Sequence, residues 1–337
     1  MSNSTHVVEV FRLEKIEKHP NADSLDCIDA FGYPVIVKSG QFVVGDLVCF
    51  IPPDNCVPLD REEFSWLKRS RVTACKLRGL PSFGLLLKAP EGFKEGDNVA
   101  DHFGITHWEP PAEKSGTGGQ NVRGPRQIRN EVECQTTAPV YDLESLRKYA
   151  KHFEGKEVHV TEKLHGCNGR FVYSSAEQQF FCGSKNQWKE DTEQSTWWQA
   201  FRRNLPLQQF LRDNPDIVAY GEVAGQVQKG YDYGVTGPTI WLFDLMKDGV
   251  WADANEARQM TAPYGVAWVP TVAEMTFDLN AIAELAEGKS LLDNKTQREG
   301  VVVSAVPEET VRGERLKMKL VGLGYYAAKH QPAEITD

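Results

Sequence analysis

Residues 108–127, WEPPAEKSGTGGQNVRGPRQ, divide the chain. The stretch combines Pro, Gly and polar side chains with no apolar periodicity, which is how a linker reads. Sequence of different character flanks it on either side, so the expected organisation is a module at 1–107, a linker at 108–127 and a second domain at 128–337. At 337 residues the chain is also long for a single core.

Ahead of the break, short β-prone runs recur (YPVIVKSG, FVVGDLVCFIPP, RVTACKLRG and FGLLLKAP), punctuated by Gly and Pro. That rhythm predicts a small β-barrel. Behind it, helix and strand signals mix. DLESLRKYAKHF predicts a helix with Asp142 as N-cap. DTEQSTWWQAFRRNLPLQQFLRD places Asp191 and Gln194 at capping-box spacing, with Pro206 kinking or splitting the helix. LNAIAELAEGK is a short amphipathic helix ended at Gly288. DIVAYGEVAG, PTIWLFDLMKDGVWA, REGVVVSAV and ERLKMKLVG are strands, the second turning at Asp248-Gly249. The expected class is α+β with largely antiparallel sheets.

A net charge of −9 argues against binding nucleic acid by global attraction. Charge is nevertheless local: KRSRVTACKLR (68–78) carries Lys68, Arg69, Arg71, Lys76 and Arg78 without an acid, and RGPRQIR (123–129) adds three arginines. Such stripes suit phosphate contacts, although a solvated face explains them equally well. Seven cysteines include no C-x-x-C pair and leave one over, which fits a reduced protein with free thiols. No apolar run reaches bilayer-spanning length, and the N-terminus shows no basic start followed by an apolar core. A cytoplasmic monomer is expected.

Candidate chemistry centres on VTEKLHGCNGRF, where Lys163 stands between a β-prone run and a Gly-punctuated turn. Alone it reads as a solvated lysine. Further along come Lys185 in GSKNQ, Glu222 in YGEVAG, Phe243 and Asp244 in LFDLM, Glu299 in REGVVV, and Lys317 and Lys319 in RLKMKLVG. Period two sends the last two lysines to one face. Each piece is weak alone, but the order E-K-L-H-G, S-K-N, G-E-V-A-G, F-D, E-G-V-V-V, K-M-K resembles the motif series of the covalent nucleotidyltransferases, across about 130–325. That superfamily contains ATP-dependent DNA ligases, RNA ligases and mRNA capping enzymes. His165, where DNA ligases usually carry Asp, resembles the RNA ligase 2 branch of bacteriophage T4. In the first module, H-P-N-A-D-x-L and K-L-R-G-x-x-S-x-G-L-L-L resemble the OB-fold tRNA-binding module, though a tight turn explains His19-Pro20-Asn21 better than ligand contact. An OB-like module in front, only 18 residues after Lys319, and GQVQKGYDYG after Glu222 together resemble the Deinococcus-type RNA ligases.

The resemblance implies an ATP-dependent RNA ligase that seals 3′-OH/5′-phosphate breaks in RNA through a lysyl-AMP. Lys163 would be the nucleophile, with Lys317 and Lys319 depressing its pKa and neutralising the α-phosphate. Glu299 would hold Mg²⁺ or Mn²⁺, and Phe243 would stack on adenine. Glu222 and Lys185 would contact ribose or phosphate, His165 would meet the departing pyrophosphate, and Glu162 and Asn168 complete the nucleotide site. Asp244 would anchor the strand of Phe243. Arg71, Lys76 and Arg78 would grip nucleic acid, the latter two alternating along one strand. Two positions depart from the pattern: Lys185 replaces the usual Arg and cannot form its bidentate fork, and Ser304 stands where relatives often place a lysine, which implies phosphate binding that is weaker or shifted to Arg298 or another residue. A DNA ligase, a capping guanylyltransferase and a non-catalytic RNA-binding protein are the alternatives.

Overall fold

A computed structural model of the chain describes residues 8–107, 131–311 and 314–330. The expected linker at 108–127 and the arginines of 123–129 lie outside the described residues. The described chain forms two compact units, one built mainly on 8–107 and the other on 131–325.

The first unit is antiparallel throughout. β1 (Glu9–Arg12), β4 (Leu47–Ile51) and β7 (Leu85–Lys88) form one sheet, β2 (Leu25–Ala30) and β3 (Tyr33–Lys38) belong to a second, and β5 (Cys75–Leu77) and β6 (Leu80–Ser82) make a hairpin. The unbroken apolar run LVCFI in β4 has a simple cause: Val48 and Phe50 enter one core with Ile28 and Leu86, while Cys49 and Ile51 enter another with Val8, Val57 and Phe103. The two distant motif strings of this unit meet. His19 Nε2 lies 3.2 Å from Leu77 O, Asn21 Nδ2 donates to Arg78 O at 3.1 Å, and Asn21 N donates to His19 Nδ1 at 3.0 Å. His19-Pro20-Asn21 is therefore a turn that braces the β5–β6 hairpin.

That hairpin corrects one expectation. β5 ends at Leu77, and Arg78 takes φ 46° beside Gly79 at φ 90°, so both sit in a two-residue turn. Strand alternation thus does not place Lys76 and Arg78 on one face. Lys76 is exposed, and Arg71 is paired with Asp54 at 2.6 Å.

The second unit contains two sheets. In one, β8 (Glu157–Lys163) lies between β13 (Thr271–Thr276) and β14 (Gly300–Val306), followed by β15 (Lys317–Val321). Glu144–Ser145 adds a short parallel partner to β15. The other orders β10 (Gln179–Ser184), β9 (Cys167–Ser174), β11 (Val218–Ala224) and β12 (Thr239–Lys247), with two-residue strands at either edge. The first sheet buries Val158, Val160, Val301, Val303 and Leu320 against Leu146, Phe153 and Ile282. The second is covered on one face by α1 (Thr196–Arg202), α2 (Leu205–Asp213) and α3 (Ala254–Thr261), which bring Trp197, Phe201, Leu207, Phe210 and Ala257 to Phe171 and Leu242. Its other face packs Val172, Tyr220 and Met246 on Tyr141.

Pro206 splits the helix as expected: α1 and α2 are separate, and Asn204 caps α2 by accepting from Leu207 N at 3.1 Å. The Asp191/Gln194 box does not form, because α1 starts only at Thr196. Asp142 is no N-cap either. Only Leu146–Tyr149 is α-helical there, and the Asp142 carboxylate turns to lysines instead. The helix expected at LNAIAELAEGK forms as α4 (Leu279–Leu285), capped by Asp278, and Gly288 follows at φ 95°. Asp248-Gly249 turns β12 back as anticipated, both at positive φ. All seven cysteines are free thiols, and among the described residues no helix is long and apolar enough to cross a membrane.

Candidate active site

β8 delivers Lys163 as its last residue, and the turn to β9 must then fold tightly against β11. A Cβ at Gly166 would stand 2.3 Å from Val223 O, so only glycine admits that approach. The turn brings Lys163 to Glu222, which lies opposite Asn168 in the β9–β11 ladder. From the other side, Gly300 pairs with Lys163 across β8–β14, and a Cβ there would stand 2.2 Å from Leu320 O. This close contact sets Glu299 beside the lysine.

Lys163 Nζ donates to Glu299 Oε1 at 2.9 Å, and His165 Nδ1 lies 3.3 Å from Glu299 Oε2. One carboxylate therefore spans both side chains. Burial alone would lower the lysine's pKa, but the charges of Glu299 and Glu222 override it and hold the amine above its ordinary range. Burial would likewise raise Glu299, yet Lys163 and His165 bring its pKa down to about 2. The expected depression of Lys163 by Lys317 and Lys319 is thus not observed, because the carboxylates dominate the charge at the amine.

Lys317 is buried, and its ammonium donates to Asp244 Oδ2 at 2.8 Å and to Phe243 O at 3.2 Å. Asp244 also accepts from the Tyr141 hydroxyl at 2.8 Å and from Arg315 Nη1 at 2.7 Å. Lys319 stands 3.9 Å from Asp142 Oδ1, and the same carboxylate accepts from Lys185 Nζ at 2.7 Å. Burial, with Lys163 and Lys185 nearby, lowers the pKa of Lys319 against the pull of Asp142. Three lysines from three strands or loops thus share one electrostatic neighbourhood, a setting suited to a polyanion.

Phe243 owes its position to a bulge. Tyr220 pairs with Asp244 and Gly221 with Leu242, leaving Phe243 without an opposite residue. Bulges re-aim side chains in this way beside active sites. The ring lies 4.7 Å from that of Tyr141 and is only partly buried. Glu162, on the opposite face of β8 by alternation, accepts from Leu291 N at 2.8 Å and faces Arg298 at 4.0 Å. Its carboxylate braces the segment ahead of Glu299 and does not join the cluster around Lys163. Arg298 also donates to Leu285 O at 2.6 Å, and Ser304 is buried in β14 opposite Lys317.

Sequence reasoning missed several members. Asp142 was hidden by its reading as a helix cap. Arg315 had a usable signal, because it precedes Lys317 by two and therefore shares the face of both lysines. Tyr231, Tyr233 and Tyr325 gather around His165 from segments with no spacing signal.

Glu222 carries a testable signature. Burial, reinforced by Glu299 and opposed by Lys163, raises its pKa to about 7. A carboxyl group with a raised folded pKa costs stability as pH climbs from the ordinary carboxylate range through that value. Glu222→Gln is therefore expected to leave the melting temperature nearly unchanged at pH 4 and to raise it at pH 8, as calorimetry at the two pH values would show. Equal effects at both pH values would refute this assignment.

The donors bear on cations too. Asn168 Oδ1 and Glu299 Oε2 are buried acceptors outside hydrogen-bond geometry with any partner. Among the described residues no three His, Cys, Asp or Glu side chains form a metal cage. Two carboxylates beside a group of lysines suit Mg²⁺ or Mn²⁺, which commonly complete their shells with water and substrate oxygens.

The RNA ligase family model matches residues 156–321, and an OB-fold domain matches residues 7–89. No curated protein sequence matches the chain. Among solved structures, a Naegleria gruberi RNA ligase variant with AMP and Mn superposes with a TM-score of 0.80 at 21% identity, covering 97% of this chain and 100% of that one. A second variant, with ATP and Mn, gives 0.80 at 21% identity over 96% and 99% of the two chains. The same ligase with PPi gives 0.79 at 22% identity over 97% and 99%. At such identities the superpositions establish the fold, while the family-model match carries the assignment. Residues 156–321 thus form an RNA ligase domain, with an OB-fold domain ahead of it at residues 7–89.

Proposed function

We propose that this RNA ligase uses ATP to seal 3′-OH/5′-phosphate nicks through a lysyl-AMP and an adenylylated 5′-phosphate. The observation that carries the reading is Lys163 held between Glu299 and Glu222, with Lys319 and Lys185 gathered on Asp142. The Lys163 amine attacks the α-phosphorus of ATP, forming a P–N bond and expelling pyrophosphate. A 5′-phosphate oxygen then takes the AMP, breaking that bond. Finally the 3′-hydroxyl attacks the activated 5′-phosphorus, and AMP leaves.

Each side chain has a part in this scheme. Lys163 must lose a proton before it attacks, so substrate binding has to draw Glu299 away from the amine. Glu299 and Glu222 would hold Mg²⁺ or Mn²⁺, whose charge supplies phosphate neutralisation. Lys319 and Lys185 face the triphosphate, Phe243 stacks on adenine, and Glu222 with Asn168 meets the ribose. Lys317 stays fixed by Asp244 at the edge of the phosphate site. The reported Naegleria complexes with ATP, AMP, PPi and Mn support this ligand set. In the OB-fold domain, Lys76 offers an exposed cation for the RNA, with Arg71 and Arg78 beside it in sequence. Cytoplasmic localisation and a monomeric state belong to the same proposal.

The test compares nicked duplexes whose 3′ terminus is a ribonucleotide or a deoxyribonucleotide, with ATP or GTP. Sealing with ATP at ribonucleotide ends is the expected result. Equal sealing of deoxyribonucleotide ends would turn the reading towards a general polynucleotide ligase, and labelling by GTP alone would favour a capping enzyme.

A further inference from the structure

His165 sits in a socket built from three tyrosines that its own motif does not contain. Its backbone N–H donates to the Tyr233 hydroxyl at 2.6 Å. Its ring meets Tyr231 edge-on with centroids 4.5 Å apart and Tyr325 edge-on at 5.4 Å. The Tyr325 hydroxyl lies 3.1 Å from Nδ1, the same nitrogen that faces Glu299 Oε2 at 3.3 Å. Tyr325 is 2% exposed.

The socket is held from two directions. The segment after β11 folds on itself, with Gln226 N donating to Tyr231 O at 3.2 Å and Tyr231 N to Gln228 O at 3.1 Å, which fixes Tyr231 and Tyr233. On the other side, the Glu287 carboxylate accepts from Leu323 N at 2.6 Å and Gly324 N at 3.1 Å, anchoring the two residues before Tyr325. That buried hydroxyl is also 3.5 Å from Nε2, so it stands against the ring edge between the two nitrogens and limits where the ring can turn. The ring in turn stands against the carboxylate that reaches Lys163.

We propose that Tyr325, supported by Tyr231 and Tyr233, is a positioning residue that fixes His165 against the carboxylate it shares with Lys163. The proposal rests on the ligase reading above, and it gives the stretch beyond the last lysine motif a part in the first chemical step. Tyr325→Phe removes one hydroxyl and keeps the ring. The rate constant of lysyl-AMP formation is expected to fall about tenfold, the scale one buried hydrogen bond supports, with KM for ATP unchanged. In a His165→Ala background the same change is expected to have no further effect, because the hydroxyl acts through that ring. Tyr231→Leu serves as the second variant and is expected to show the same dependence on His165. Independent, multiplicative losses in the double variants, or wild-type rates in the single ones, would overturn the proposal. Absence of any lysyl-AMP in the wild-type protein would instead overturn the ligase reading.

Discussion

Lys163→Ala is expected to abolish transfer of AMP to the protein and sealing of ordinary nicks, while nicks already carrying AMP on the 5′-phosphate are still joined. In the proposed scheme the first two steps form and break a bond at the lysine nitrogen, and among the described residues no other amine occupies its place between Glu299 and Glu222. Loss of at least about a thousandfold is the expectation for removing a covalent nucleophile. The third step needs only the positioning of two strand ends and charge stabilisation, which Lys319, Lys185 and the carboxylates retain. Gel assays with a 5′-phosphorylated and a pre-adenylylated nick separate the two demands. If the variant failed equally on both substrates, Lys163 would be acting in binding or folding rather than as nucleophile.

Asp244→Asn is expected to be among the most destabilising single changes in the ligase domain. The carboxylate is 2% exposed and receives Tyr141, Arg315 and Lys317 at 2.7–2.8 Å. Burial would raise its pKa, but Lys317 and Arg315 overcome that and hold it below the ordinary aspartate range. Neutralising it strands Lys317 in the interior without a counter-charge. Breaking a buried pair costs about 3–5 kcal/mol, or roughly 6–20 °C in melting temperature for a domain of this size. A depressed carboxylate contributes stability that is present above its unfolded pKa and lost as pH falls through its folded one. The deficit should therefore be full at pH 7 and shrink in strong acid. Activity should fall too, because Lys317 loses what holds it at the proposed phosphate site. A melting temperature within about 2 °C of wild type at pH 7 would contradict this role for Asp244, since one or two kcal/mol already moves such a domain by several degrees.

Much of this was legible in the sequence because the strands announce themselves. The β-prone apolar runs at Glu222 and after Glu299, and the alternation around Lys317 and Lys319, place β11, β14 and β15, and the Pro206 break separates α1 from α2. The order of short motifs around Lys163 pointed to the chemistry before any geometry was known. What the sequence hid lies where tertiary contact overrules local preference. Asp142 has the look of a cap, yet it bridges Lys185 and Lys319 because β15 draws its neighbours into parallel pairing. Arg78 belongs by pattern to a strand, but the hairpin needs a turn residue there and imposes positive φ. The charge state of Lys163 is likewise a property of the assembled site: the K-x-K strand suggests depression, while Glu299 at 2.9 Å produces the reverse. His165 was visible as a departure within its motif, and Tyr231 and Tyr233 lie in GQVQKGYDYG, but nothing local says that they and Tyr325, 160 residues away, meet at that histidine.

The most direct test is to incubate the wild-type protein with ATP and Mn²⁺ or Mg²⁺, digest it under conditions that preserve phosphoramidates, and locate the modification by mass spectrometry. One adenylyl group on Lys163 is the predicted result, absent when pyrophosphate is supplied in excess. An adenylyl group on Lys185, Lys317 or Lys319, or none on any lysine, would contradict it.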